Sequence, residues 1–139
     1  MGNKRTEIRQ ALKTLISADS AFDNVTVFSS RRSNVSQIEQ LPSITIQTPN
    51  EDSTPETLQF KRYIRKIELR LEIRISATDD ADDVLDTLMA QVEDFMLLNQ
   101  SVSGNLLSCY LLSSEIDVAP DGNEEIGLGT LIYQGTYVS

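Results

Sequence analysis

The sequence contains no histidine, no tryptophan and one cysteine, Cys109, in 139 residues. Without histidine, Ser–His and Cys–His nucleophilic chemistry is excluded, and so is imidazole ligation of a metal. One cysteine builds neither an internal disulfide nor a thiolate zinc site, and it fits a reducing cytoplasm. Four tyrosines and four phenylalanines leave little for base stacking. No run approaches the ~20 apolar residues of a membrane span. The opening MGNKRTEIRQ leads into an amphipathic segment, so no signal peptide is expected. The glycines of GLGTLIYQG (127–135) miss the G-x-G-x-x-G spacing and precede no helix, and no Walker sequence occurs. Neither a cofactor nor a metal is expected, and the chain is not expected to be an enzyme.

Positive charge is missing from one half. All 12 lysines and arginines fall in residues 1–74 with nine acids, a net of +3; residues 75–139 hold twelve acids and no base, a net of −12. Such asymmetry produces opposite-signed surfaces for a directional contact between copies, unless the two halves interleave in the fold. A net-acidic chain is poorly suited to tight DNA binding, which runs on phosphate neutralisation.

The clearest positive signal is RYIRKIELRLEIRI (62–75). Ile67, Leu69, Leu71, Ile73 and Ile75 alternate with Lys66, Glu68, Arg70, Glu72 and Arg74, the period of a strand with one face on a core. Fourteen extended residues span about 46 Å, whereas a compact chain of this length is about 37 Å across. Such a strand must bend, carry a bulge or project. Its charged face alternates in sign, which suits pairing with itself or with a complementary strand better than with a polyanion.

Around it, Ile8, Ala11, Leu12, Leu15 and Ile16 form one helical stripe within Asn3–Ala18. NVTVF (24–28) reads as a short strand, and Leu41-Pro42 introduces SITIQT with Ile44 and Ile46 on one side. The acidic PNEDSTPETLQFK (49–61) is longer than a usual hairpin loop. Leu85, Leu88, Met89, Val92 and Met96 mark a second helix, with Thr78 or Asp79 as the expected N-cap. CYLLSSEIDV (109–118) and IGLGTLIYQGTYV are the closing strands, joined by a turn at APDGNEE, and Tyr133 and Tyr137 pack the sheet.

These elements give an α+β fold, an α/β sandwich in which two main helices cover one face of a mostly antiparallel or mixed β-sheet, in the order α-β-β-β-α-β-β. One domain spans 1–139, with a projecting arm at 49–66.

Asp79, Asp80, Asp82, Asp83 and Asp86 crowd a helix start, where the dipole favours acids; they lack the alternating spacing and glycine of a calcium loop. Met1-Gly2-Asn3-Lys4-Arg5-Thr6 formally fits the myristoylation pattern, but its basic residues belong as well to a first helical turn.

Five blocks, in order, carry a resemblance: TEIRQALKTLI, LPSITIQT, IELRLEIRISA, DDADDVLDTLMAQVEDFM and GTLIYQGTYV. Together the chain resembles the tail terminator and tail-completion proteins of long-tailed, lambda-like phages. The resemblance implies a homo-hexameric ring on the last ring of the tail tube. There it would stop polymerisation and present a surface to the head–tail connector. It implies a place in the virion at the head-proximal end of the tail, with assembly in the host cytoplasm. Partners would be other copies of the chain, the tail tube protein and the connector or neck protein, while DNA passes the lumen without specific binding. A neck or other tail-completion protein is the nearest alternative, and a small α+β ligand-binding module or enzyme a more distant one. Under this reading subunit contacts are expected at Lys66, Glu68, Arg70, Glu72 and Arg74 and at Glu51, Asp52 and Glu56 of the arm.

Overall fold

The computed structural model describes residues 4–29, 41–55, 62–121 and 124–139. Helix α1 (Lys4–Ala18) is followed by a 3-10 turn at Ser20–Phe22, then strands β1 (Thr26–Phe28), β2 (Ser43–Gln47), β3 (Glu51–Pro55) and β4 (Tyr63–Ala77). Helix α2 (Ala81–Leu98) leads to β5 (Ser108–Asp121) and β6 (Glu124–Val138). The six strands form one sheet in the order β1-β2-β4-β6-β5, with β3 also paired to β4. Every pairing is antiparallel except that of β1 with β2. The α+β architecture read from the sequence is the one observed, with β3 and the 3-10 turn as additional elements.

The excess length of β4 is shared. Its partner β6 is also 15 residues long, and the two pair from Ile64↔Val138 to Ala77↔Glu125. On its other side β4 holds β2 against Ser76-proximal residues 70–74 and β3 against residues 63–67. The 49–66 segment is therefore, where described, a hairpin whose strands both belong to the sheet. Pairing is unshifted along β4, and the irregularity falls in β5, between Leu111 and Ser113. Leu112 is the extra residue of a β-bulge.

Ile67, Leu69, Leu71, Ile73 and Ile75 are all buried. They face Ile8, Leu12 and Ile16 of α1 and Leu85, Met89, Val92 and Met96 of α2 in one core. α1 packs on β1 and β2, and α2 on β4 and β6. Three glycines leave little room for a side chain: a Cβ at Gly129 would sit 2.5 Å from Met89 Sδ of α2, at Gly135 2.9 Å from Leu106 Cδ1 of the segment after α2, and at Gly127 3.0 Å from Ile75 Cδ1 of β4 and 3.3 Å from Leu85 Cδ2 of α2. The glycines of GLGTLIYQG thus serve packing. Phe22 of the 3-10 turn meets Phe95 of α2 edge to face, with ring centroids 5.7 Å apart, closing the core between the helices.

The N-cap of α2 falls at Asp80, later than the expected Thr78 or Asp79, and its side chain makes no capping hydrogen bond. Asp82 and Asp83 occupy the first turn, where the dipole still favours them. After α2 the chain reverses through Val102, Ser103 and Gly104, all at positive φ (46°, 57° and 82°). For a β-branched residue that conformation is strained, and full burial of the Val102 side chain offsets it.

Candidate subunit-contact surfaces

The strand order decides whether the two charge halves interleave. They do not. Residues 4–77 build α1 and β1 to β4, and residues 81–138 build α2, β5 and β6. With β1-β2-β4 on one side of the β4–β6 junction and β6-β5 on the other, the base-bearing and base-free halves of the sequence become opposite sides of one sheet. Along that sheet, β6 and β5 carry Glu115, Asp117, Glu124 and Glu125 without a cation. α1 carries Lys4, Arg5, Arg9 and Lys13: Arg9 bonds to Ser29 and Thr48 on the β1–β2 side, while Lys4 reaches across to Asn105 Oδ1 at 3.1 Å and lies 6.0 Å from the Tyr137 ring centre of β6.

The residues expected to join subunits do not gather in one place. Glu51 belongs to a cluster inside the chain: it accepts a hydrogen bond from the Tyr137 hydroxyl, and its other oxygen lies 3.5 Å from Arg65 Nη1. Arg65 also donates to Ser139 Oγ at 3.0 Å and Ser53 Oγ at 2.7 Å, and its guanidinium lies 5.0 Å from the Tyr63 ring centre. Burial, reinforced by the bond to Glu51, pushes the Tyr137 hydroxyl up to about 12. Glu68 and Arg70 pair with each other at 2.9 Å, and Asn50 Nδ2 donates to Glu68 at 3.2 Å. Lys66 and Asp52 are exposed cross-strand neighbours at the β3 edge. Glu72 and Arg74 are half-buried on the helix-free face, and Glu56 lies outside the described residues.

That face is less polar than β4 alone suggests. Arg70 and Arg74 lie opposite Ile132 and Leu128 of β6, which lets their aliphatic stems cover apolar neighbours. On β2, Ser43, Thr45 and Gln47 are buried despite being polar. The signs along β4 offset one another within the face, which leaves no uniform track for a polyanion.

A second surface was not read from the sequence. β5 is an edge strand with β6 as its partner. Leu107, Leu111, Leu112 and Ile116 are exposed along it, as are Leu97 and Leu98 at the end of α2. Between α2 and β5 runs a groove of about 160 Å³ floored by Met96, Cys109 and Tyr133. Burial raises the Cys109 thiol to about 11 and pushes Tyr133 up as well, so both groups are neutral at physiological pH. A warning was present in the sequence: Leu97 and Leu98 follow the last residue of the apolar stripe of α2.

A cavity of about 490 Å³ opens between the 3-10 turn and the first turns of α2, lined partly by Asp23, Asp80 and Asp83. Among the described residues, no three histidine, cysteine or acidic side chains gather as a metal cluster, and no helix is long and apolar enough to cross a membrane.

No protein-family model matches the chain, and no curated protein matches it in sequence. Among solved structures, a chain of the "Virion of native gene transfer agent (GTA) particle" superposes with a TM-score of 0.54 at 9% identity. The alignment covers 94% of each chain. At that identity the likeness is one of fold.

Proposed function

We propose that the chain is a structural, non-enzymatic subunit of a phage-like virion, and within it the tail terminator: a ring of six copies that caps the tail tube. The observation that carries this reading is the lateral polarity of the sheet. β6 and β5 carry no base of their own and end in an open apolar edge, and the β1–β4 side bears most of the cations. A ring needs two different patches that meet on successive copies, and this arrangement supplies them. The fold likeness supports it, since a chain of a virion has this architecture across 94% of both lengths. The ordered sequence blocks point the same way.

In this reading the ring ends polymerisation of the tail tube protein and offers its other side to the head–tail connector. The helix-free face, with Lys66, Glu68, Arg70, Glu72 and Arg74, adds contacts to neighbouring subunits. DNA passes through the lumen, and the acidic half of the chain disfavours its adhesion there.

Deletion of the gene from the genome that encodes it tests the assignment. Overlong tail tubes without heads are expected of a terminator. Tails of normal length that fail to join heads would move the protein to the neck, and fully assembled particles would remove it from both places.

A further inference from the structure

Strand β5 presents a problem that one copy of the chain does not solve. It is 14 residues long, with one edge unpaired among the described residues. From Tyr110 to Asp117 every residue is exposed. Leu112 is 54% and Ile116 51% exposed on the strand itself; Leu107, at its start, is 73% exposed, and Leu98, at the end of α2, 86%. Natural edges are blunted with lysine and other charges, proline, bulges or short length. Here there is no lysine, and the strand is among the longest in the sheet. The bulge between Leu111 and Ser113 and the proline at Pro120 are its two interruptions, and Leu112, the extra residue of the bulge, is an exposed apolar side chain. An exposed apolar run of this kind, beside unpaired backbone groups, marks an interaction site.

Charge narrows the occupant. After the bulge, Glu115 and Asp117 lie opposite Thr130 and Leu128 on the helix-free face. If two copies paired β5 to β5 about a two-fold axis centred there, these acids would face their own counterparts, and like charges directly opposite are unfavourable. No cation on α2, β5 or β6 is there to compensate. The complement lies on the other side of the chain.

Strand direction agrees. β2 and β3 run antiparallel to β4, and β1 runs parallel to β2. β5 runs parallel to β4, because each pairs antiparallel with β6. The edges of β1 and β3 therefore run opposite to β5. Rotation about a ring axis along the strands preserves direction, so β5 of one copy meets β1 or β3 of the next antiparallel. Antiparallel ladders are slightly more stable per residue than parallel ones.

We infer that the β5 edge, with Leu97 and Leu98 beside it, seats a second copy of this chain, which brings the β1–β3 side beneath its α1 helix. The contact is head-to-tail. This inference rests on the ring reading and specifies which side of the subunit does which part.

Two variants and their mixture test it. Leu112→Lys with Ile116→Lys spoils the β5 seat; Lys13→Glu with Lys66→Glu spoils the charge of the opposite side. Each is expected to weaken self-association at least tenfold by light scattering, with circular dichroism and melting midpoint unchanged. Mixed one to one, they are expected to form a dimer that grows no further, since one good copy of each surface remains. Leu112→Thr with Ile116→Thr is the milder pair should the lysines lower the melting midpoint.

If the β5 variant assembles like the wild type, the seat is wrong while the ring survives. If the Lys13/Lys66 variant associates undiminished by itself, the contact is β5 to β5 and the head-to-tail inference falls. A wild-type chain that stays monomeric but binds another virion protein through β5 overturns both the inference and the ring.

Discussion

The Tyr137 hydroxyl donates to a carboxylate oxygen of Glu51, joining the last strand to β3 across the width of β4. Glu51 is held in turn by Arg65, directly opposite Tyr137 in the β4–β6 ladder. This ties the end of the sheet beside the start of α1, where Lys4 Nζ lies 6.0 Å from the Tyr137 ring centre.

The cluster predicts an alkaline limit to stability. The folded Tyr137 pKa of about 12 lies above its ordinary value of 10.0, so its contribution is complete below pH 10 and lost as pH rises through 12. Cys109, raised from 9.0 to about 11, acts in the same direction from pH 9 upward. Urea midpoints between pH 8 and 12 are expected to fall. Tyr137→Phe should lower stability by about 1 kcal/mol at pH 7 and flatten that fall.

The core side of the fold was legible because burial on one face writes a period. Ile67 to Ile75 alternate without error, and the two helical stripes do the same at their own spacing. β3 was not legible: EDSTP has no aliphatic residue, and its pairing is dictated by β4. β5 was read as a strand but not as an exposed edge. Its bulge shifts the phase between Leu111 and Ser113, so no single alternation runs through LLSSEIDV. The charge division was visible as counts, while its meaning needed the strand order that places β6 and β5 together. Alternating charges on β4 suggested pairing along the strand or an external contact, and Glu68 and Arg70 take the first course, pairing with each other.

Gly129 leaves room for Met89. In Gly129→Val the new side chain meets Met89 Sδ and Leu85 Cδ1, and overpacking of this kind costs about 1–3 kcal/mol. Chemical denaturation is expected to show that loss, with part of it recovered by adding Met89→Ala.

Cys109 should behave as a buried thiol. At pH 8, labelling by a thiol reagent is expected to be at least ~100-fold slower in the folded protein than in denaturant, because burial removes both access and thiolate. Immediate native labelling would mean that the groove between α2 and β5 opens freely.

Reversing the β4 face by Arg70→Glu with Glu72→Arg separates folding from assembly. Half-exposed ion pairs are worth about 0–1 kcal/mol, so the melting midpoint should shift by a few degrees at most. Ring formation is expected to drop, measured by sedimentation. Unchanged rings would confine the subunit contact to the sheet edges.

The most direct measurement is the mass of the wild-type protein by native mass spectrometry over a range of micromolar concentrations. With 15.5 kDa per copy, the ring predicts a closed species of six copies, about 93 kDa, with no larger series beyond it. A single 15.5 kDa species at every concentration would contradict the account.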